Sequence, residues 1–123
     1  MATPPRLTRI ELELMEPLWQ LEQASIREIL EALPKTRRPE YTTVQTMIYR
    51  LEEKGAVRRV KKIGNAHIFA PAMPRKSAVG SLVDQLVNHL GGSPVPLVSH
   101  LVESGQISLK EIKEIEALLG KRR

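Results

Sequence analysis

The stretch YTTVQTMIYRLEEKG at residues 41–55 decides the fold, because it combines one apolar side with an outer side of hydrogen-bonding residues. Its apolar residues recur at intervals of three and one, which predicts a helix from Thr43 to Lys54. Thr42 with Gln45 three positions later forms a predicted capping box, and Gly55 provides a left-handed end. The side to be buried consists of Val44, Met47, Ile48 and Leu51.

The residues that follow, AVRRVKKIGNAHIFAP, change from helical spacing to a strand pattern. Residues 57–63 and 66–71 are predicted strands, and Gly64-Asn65 between them is a two-residue hairpin signal. The alternation is imperfect, since Val57 and Val60 fall on opposite sides of a regular strand. The sequence therefore predicts a β-hairpin directly after the helix.

Two further helices are predicted upstream. Each begins with a capping box, Thr8 with Glu11 and Ser25 with Glu28, followed by apolar residues at helical spacing. Pro17 lies well inside the first of them, where its missing backbone donor predicts a kink or a broken hydrogen bond. Three helices followed by a hairpin is the order of a winged helix-turn-helix domain. In that arrangement the third helix enters the major groove of DNA and the hairpin lies against the backbone.

The predicted fold class is mainly α with a small β-hairpin wing. A winged-helix DNA-binding domain is expected over residues 1–74 and a helical dimerisation region over residues 75–123. The boundary lies in a proline-containing, hinge-like stretch at residues 71–76. Beyond it three short helices are predicted, and the last opens with a capping box of Ser108 and Glu111.

The formal net charge of the chain is +5, and the surplus is confined to the middle of the sequence. Residues 35–76 contain eleven basic and three acidic residues, whereas residues 1–34 contain three and six, and residues 77–123 contain five of each. A concentrated basic block is expected of a nucleic-acid site, because each neutralised phosphate releases counterions. On charge alone, a solvated basic surface without a partner is the alternative.

Two sets of side chains are predicted to contact double-stranded DNA. The outer side of the 43–54 helix carries groups that can hydrogen-bond base edges, whereas an ordinary solvated helix carries mostly glutamate and lysine. The wing at residues 57–71 carries positive side chains suited to phosphates, the alternative being a basic edge strand that only prevents aggregation. The predicted base-reading residues are Thr42, Thr43, Gln45, Thr46, Tyr49 and Arg50. The predicted backbone-contacting residues are Arg58, Arg59, Lys61, Lys62 and His67.

The C-terminal third is predicted to form a homodimer. Apolar residues from Val79 to Leu90 form a stripe along one helix, and short isolated helices bury too little surface to be stable. A second copy of the same segment is the economical partner, and a two-fold dimer presents two recognition helices to a palindromic operator. The predicted interface residues are Val79, Leu82, Val83, Leu86, Val87, Leu90, Leu101, Ile112, Ile115 and Leu119.

Other classes of function are disfavoured by the composition. The chain has no cysteine, which excludes disulfides, thiolate metal sites and thiol catalysis. His67, His89 and His100 are scattered, so we predict no catalytic residue, no metal, no cofactor and no enzyme activity. The start of the sequence lacks a signal-peptide pattern and no apolar run is long enough to span a bilayer. A cytoplasmic protein without membrane insertion is expected.

Three segments together resemble the family of penicillinase and methicillin-resistance repressors (the BlaI/MecI/CopY group). They are LTRIELELMEPLW at 7–19, YTTVQTMIYRLEEKG at 41–55 and SLKEIKEIEALL at 108–119, and the similarity covers nearly the whole chain. The resemblance implies a dimeric repressor that binds an inverted-repeat operator. It also implies that the regulated genes are resistance genes, often together with the repressor's own gene.

The resemblance also implies a mode of induction. In the antibiotic-responsive branch, a membrane sensor-protease pathway leads to cleavage of an Asn-Phe bond followed by Val-Glu. Here Val102-Glu103 aligns with the second pair, so His100 and Leu101 occupy the cleavage position and depart from the family's pattern. Copper-responsive relatives carry a cysteine-rich tail, and the absence of cysteine excludes a copper-thiolate switch here.

Two other functions are compatible with the residues alone. A non-specific architectural DNA-binding protein would depend on Lys61 and Lys62 as much as on Thr46 at any DNA sequence. A winged-helix protein-interaction module would keep its function when Arg58 and Lys61 are replaced by alanine. The sequence-specific repressor is the leading hypothesis.

Overall fold

The computed structural model describes residues 5–122. The outer limits of the two predicted domains, at residues 1 and 123, lie outside the described residues. The first four residues of the N-terminal segment, which lacks a signal-peptide pattern, also lie outside the described residues.

Within the described residues the fold is mainly helical, with one small antiparallel sheet, which confirms the predicted fold class. The elements are α1 (Arg9–Leu21), β1 (Ala24–Ser25), α2 (Ile26–Ala32), α3 (Tyr41–Glu53), β2 (Val57–Ile63), β3 (Ala66–Pro71), α4 (Arg75–His89), α5 (Val95–Glu103) and α6 (Leu109–Arg122). A turn of 3-10 helix at Lys35–Arg37 precedes α3. Strands β2 and β3 have the bounds that the sequence predicted.

The sheet contains three strands in the order β1-β3-β2, whereas the sequence predicted only the hairpin of β2 and β3. The additional strand β1 is only two residues long, too short to leave an alternating pattern. Gly64 opens the hairpin turn with a φ of +59°, a conformation that glycine adopts without strain. Between Arg59 and Lys61 the register shifts, so Val60 is an extra, bulged residue in β2. The bulge explains why Val57 and Val60 do not alternate regularly.

The core is aliphatic except for Phe69 and lies between α1, α2, α3 and the sheet. The largest fully buried side chains are Phe69, Leu14, Met15, Leu18, Ile29, Ile48, Leu51 and Val44. At the edge of the core, the indole Nε1 of Trp19 donates a hydrogen bond to the carbonyl oxygen of Met73 at 2.9 Å. This bond joins α1 to the chain that leaves the sheet.

Three of the four predicted capping boxes are present. Thr8 with Glu11, Ser25 with Glu28 and Ser108 with Glu111 form both reciprocal hydrogen bonds.

The predicted box of Thr42 with Gln45 is wrong, because α3 begins earlier and Glu40 occupies the N-cap position. Thr42 is already inside the helix, where its backbone lacks the extended conformation that a cap requires. Gln45 instead donates to the hydroxyl of Tyr49 at 3.2 Å.

The expectation about the linker needs correction, whereas the one about Pro17 does not. Helix α1 runs from Arg9 to Leu21 with Pro17 inside it, and the ring nitrogen of Pro17 has no hydrogen to donate, so one backbone hydrogen bond of the helix is missing there. The hinge-like stretch is partly helical, because α4 begins at Arg75. The Nε atom of Arg75 lies 3.0 Å from Oε1 of Glu16 in α1, and Ala78 is buried in the core. The first turns of α4 are therefore packed rather than loose.

The described residues form two compact units, with the division between Leu82 and Val83. The first unit contains α1 to β3 and the first half of α4. The second contains the rest of α4 with α5 and α6, and none of its residues is buried. Among residues 5–122, no helix is long and apolar enough to cross a membrane.

Candidate nucleic-acid interface

Helix α3 presents its polar side away from the core. Val44, Ile48 and Leu51 are fully buried on the inner side, whereas Met47 is half-buried. Thr42, Thr43, Thr46 and Arg50 are exposed, and Gln45 and Tyr49 are half-buried. The structure therefore places all six predicted base-reading residues on one helix, with four of them open to solvent.

The beginning of α3 has no side-chain cap. Glu40 is the N-cap residue and makes no side-chain hydrogen bond to the first turn. The backbone N–H groups of a first helical turn have no partner within the helix, and they carry a partial positive charge. An uncapped start beside basic residues is a suitable place for a phosphate oxygen.

The hydroxyl of Thr46 is directed back to its own helix. Its Oγ1 donates to the carbonyl oxygen of Thr42 at 3.0 Å. This bond uses the only hydroxyl proton of Thr46, so the oxygen lone pairs and the methyl group remain for an outside partner. Such a side chain can accept a hydrogen bond from a base amino group and can contact the methyl group of thymine.

The bulge at Val60 decides which wing cations share a face. Arg58 pairs with Ala70 and Lys61 with Ile68, while Arg59 pairs with Phe69 and Lys62 with His67. Because directly opposite residues of an antiparallel pair lie on the same face, Arg58 and Lys61 share one face of the wing. Arg59, Lys62 and His67 share the other. Regular alternation would instead have placed Arg59 together with Lys61.

The side chain of Arg59 contacts both helix α3 and the hairpin. Its Nε donates to Oε2 of Glu52 at 2.9 Å, and the guanidinium lies 5.0 Å from the ring centre of Tyr49 and 5.5 Å from that of Phe69. The two rings are themselves 6.5 Å apart. Together these exposed ion-pair and cation–π contacts contribute on the order of 1–2 kcal/mol. The sequence placed Arg59 with the phosphate contacts and did not identify Glu52.

A groove of about 290 Å³ lies between the wing and the start of α3. Its lining includes Gln45, Tyr49 and His67, which the sequence predicted as DNA contacts. It also includes Arg27 and Tyr41, which were not predicted to contact DNA. The guanidinium of Arg27 lies 5.2 Å from the ring centre of Tyr41. The tyrosine at the first position of α3 was the only signal in the sequence for this contact.

The other end of α3 is held by an ion pair. Lys54 contacts Glu11, a carboxylate only 4% exposed, and also donates to the carbonyl oxygen of Arg6 at 3.2 Å. Burial raises the pKa of Glu11, but hydrogen bonds from Lys54 and Thr8 and the charge of Lys54 outweigh it, so the pKa lies below its ordinary value. The carboxylate is therefore charged at neutral pH and fixes the C-terminal end of α3.

The predicted dimer residues are distributed over α4, α5 and α6. The exposed ones are Leu82, Val83, Leu86, Leu90, Ile112, Ile115 and Leu119; the half-buried ones are Val79, Val87 and Leu101. Val95, Val98, Val102, Leu109 and Leu118 are further exposed apolar residues that the sequence did not single out. His100 and Leu101, the aligned cleavage pair, lie inside α5. Among residues 5–122, no cluster of three histidine or acidic side chains could hold a metal ion.

The chain is similar to known repressors over nearly its whole length. A family model described as penicillinase repressor matches residues 7–121. The penicillinase repressor of Bacillus licheniformis is 28% identical, with 94% of this chain and 90% of the relative covered. The transcriptional regulator BlaI of Mycobacterium tuberculosis is 33% identical, with 99% and 94% covered.

A solved structure supports the same assignment. The solution structure of the monomeric form of BlaI from Bacillus licheniformis, in complex with the blaP half-operator, is 30% identical with a TM-score of 0.52. The match covers 63% of this chain and 93% of that chain. The family model covers well over half of the chain, so this protein belongs to the penicillinase repressor family of transcriptional repressors.

Proposed function

We propose that this protein is a homodimeric repressor that binds an inverted-repeat operator through α3 and the wing at residues 57–71. The observation that carries the proposal is the exposed, uncapped polar side of α3 next to an uncompensated group of wing cations. A relative with 30% identity binds a half-operator as a monomeric form, which supports the same use of this surface.

We assign base reading to the exposed side of α3. Thr43, Thr46 and Arg50 are the exposed residues that a helix lying in the major groove would direct to base edges. Thr42, near the uncapped start, is suited to the DNA backbone as well as to a base. Gln45 and Tyr49, joined by a hydrogen bond, are expected to act as a pair at the edge of the groove.

We assign phosphate contacts to Arg58, Lys61, Lys62 and His67. The positive charges of Arg58, Lys61 and Lys62 are not paired with a carboxylate in the described part of the chain, so approach to DNA breaks no ion pair. Such contacts set affinity and salt dependence rather than sequence preference. Arg58 and Lys61 lie on one face of the wing and Lys62 and His67 on the other, so both faces can contact the DNA backbone.

We propose that a second copy of the chain covers the apolar surface of the C-terminal unit. Leu86 and Leu90 are 42% and 40% exposed, and exposed leucine, isoleucine and valine side chains continue along α5 and α6. Exposed apolar side chains in this number favour association with a partner, since burying them removes about 25 cal/mol per Å² of unfavourable hydration. A two-fold dimer would carry two α3 helices, which matches an operator with two half-sites.

We further propose a cytoplasmic role in the control of resistance or stress genes, with the repressor's own gene among them. If a membrane sensor-protease pathway releases repression, the protein would be cut between His100 and Leu101, within α5. That cut would separate α6, with Ile112, Ile115 and Leu119, from the DNA-binding domain. The expected consequence is loss of the dimer and therefore of tight operator binding.

Footprinting on the DNA upstream of the protein's own gene, with excess competitor DNA, tests the proposal. A protected inverted repeat is the expected result. Weak, uniform protection of all duplexes would instead favour a non-specific architectural protein. Full retention of function by a variant carrying Arg58→Ala and Lys61→Ala would instead favour a protein-interaction module.

A further inference from the structure

We infer that Arg59 is a positioning residue that fixes the wing to helix α3, and that it does not contact DNA phosphates. The inference rests on the proposed function, because it concerns how the wing is aimed at the operator. It also assigns a function to Glu52, which pairs with Arg59 and has no other role in the proposed binding surface.

The contacts of Arg59 join two elements that no continuous hydrogen-bond ladder connects. Glu52 and Tyr49 belong to α3, Arg59 to β2 and Phe69 to β3. The guanidinium therefore contacts a carboxylate and a ring from the helix and a ring from the hairpin at the same time. Because these contacts have a defined geometry, they restrict the angle at which the wing leaves the helix.

The face on which Arg59 lies agrees with this role. Arg59 is directly opposite Phe69, a fully buried core residue, so its side chain begins on the core-facing side of the wing. The bulge immediately after Arg59 shifts the register, and Lys61 lies on the opposite face. A regular strand would have placed Arg59 and Lys61 on one face as two equivalent phosphate ligands.

The charge of Arg59 is already compensated. Its partner Glu52 is held at 2.9 Å, and the side chain of Arg59 is only 38% exposed. Within residues 5–122, no carboxylate pairs with Arg58, Lys61 or Lys62. A phosphate would have to displace Glu52 and uncover two aromatic rings to reach Arg59, whereas the other cations are free to bind it.

Neutralising Glu52 is expected to weaken DNA binding, which is the opposite of the usual effect of removing a negative charge. Removing a carboxylate near DNA ordinarily strengthens binding, because it removes repulsion of the phosphates. If Glu52 holds Arg59 and the wing, Glu52→Gln will weaken operator binding several-fold. Glu53→Gln is the matched control, because Glu53 is the next residue of α3, is exposed and pairs with no cation in the described chain. The control is expected to bind the operator as tightly as the unaltered protein or more tightly.

The salt dependence of operator binding separates positioning from phosphate contact. The protein and its variants Arg59→Gln and Arg58→Gln are titrated with operator duplex at several salt concentrations. Loss of one phosphate contact reduces the slope of log affinity against log salt by about 0.9. Arg58→Gln is expected to show that reduction, whereas Arg59→Gln is expected to weaken binding about tenfold with an unchanged slope. An equal reduction in both variants, or no loss of affinity in Arg59→Gln, would overturn the inference.

A measurement on the free protein keeps this inference separate from the proposed function. Amide hydrogen exchange in β2 and β3 is expected to be faster in Arg59→Gln and Glu52→Gln than in the unaltered chain, with Arg58→Gln and Glu53→Gln unchanged. Equal exchange in all five proteins overturns the inference even if operator binding is strong. If no operator is bound at all, the proposed function fails, and the exchange result still decides the role of Arg59.

Discussion

The Nζ atom of Lys54 lies 2.5 Å from Oε1 of Glu11, and this pair joins the end of α3 to the first turn of α1. Glu11 also accepts a hydrogen bond from the backbone N–H of Thr8, so one carboxylate caps α1 and holds α3. The position of the proposed recognition helix therefore depends on a residue of α1 that is not among the proposed DNA contacts.

Replacing Lys54 with methionine is expected to lower the free energy of unfolding at pH 7 by about 1–2 kcal/mol, because it leaves the buried carboxylate of Glu11 without its partner. Chemical denaturation measures the change. Glu11→Gln should cost less, since its amide oxygen still caps α1. Lys110→Met in α6, an exposed position, is the control and should be neutral.

The same pair has a pH dependence with a defined sign. The pKa of Glu11 is lowered in the folded protein, so its stabilisation is complete above the unfolded carboxyl pKa of about 4.3. It is lost as the pH falls through the lower folded-state pKa. The stability difference between the unaltered protein and Lys54→Met should therefore shrink in acid. A difference that stays constant from pH 7 to pH 3 would contradict the assigned ion pair.

Thr46→Ala and Lys61→Ala are expected to affect DNA binding in different ways. Thr46→Ala should cost about 1–3 kcal/mol on the operator and almost nothing on unrelated duplex DNA, because the loss concerns base contacts. Lys61→Ala should weaken both by a similar factor and reduce the salt slope. Fluorescence anisotropy with labelled duplexes measures both. If Thr46→Ala, like Lys61→Ala, lowers the affinity for the operator and for unrelated DNA by a similar factor, then α3 does not read sequence.

Leu86→Glu is expected to dissociate the dimer and to reduce operator affinity, because it places a charge in the proposed apolar interface. Sedimentation velocity measures the first effect and anisotropy the second. Asn88→Glu adds the same charge to the same helix at an exposed position outside the apolar stripe, so it should remain dimeric. An unchanged sedimentation profile for Leu86→Glu would refute this interface.

Two glycine substitutions should have opposite effects on stability. Gly64 has a φ of +59° in the hairpin turn, so Gly64→Ala is expected to destabilise the protein by about 1 kcal/mol. Gly80 lies inside α4 with no positive φ and with open space at the Cβ position. Gly80→Ala should therefore stabilise by about 0.5–1 kcal/mol through higher helix propensity. Thermal unfolding monitored by circular dichroism checks both, and a stable Gly64→Ala would contradict the turn geometry.

The features that the sequence predicted correctly are local. The bounds of β2 and β3 follow from the Gly64-Asn65 turn, and the three capping boxes at Thr8, Ser25 and Ser108 follow from residues three positions apart. Such signals depend on neighbours along the chain and need no knowledge of tertiary contacts.

The features that were missed depend on contacts between distant residues. The false capping box at Thr42 has the same local pattern as the real ones, but α3 begins at Tyr41, two residues before the predicted start at Thr43. The bulge at Val60 and the pairing of β1 arise from strand register. The contact of Arg59 with Glu52 and the two aromatic rings requires helix and hairpin to be packed together, so periodicity could identify the cation but not its orientation.

Selection of binding sites from a library of random duplexes decides whether the protein binds a symmetric DNA sequence. The protein is incubated with the library in excess competitor DNA, and bound duplexes are recovered and sequenced over several rounds. We expect enrichment of an inverted repeat whose half-sites are separated by about 10 bp or a multiple of it, as two α3 helices of one dimer require. Recovery of unenriched sequence, or of a single half-site without symmetry, would contradict a dimeric operator-binding repressor.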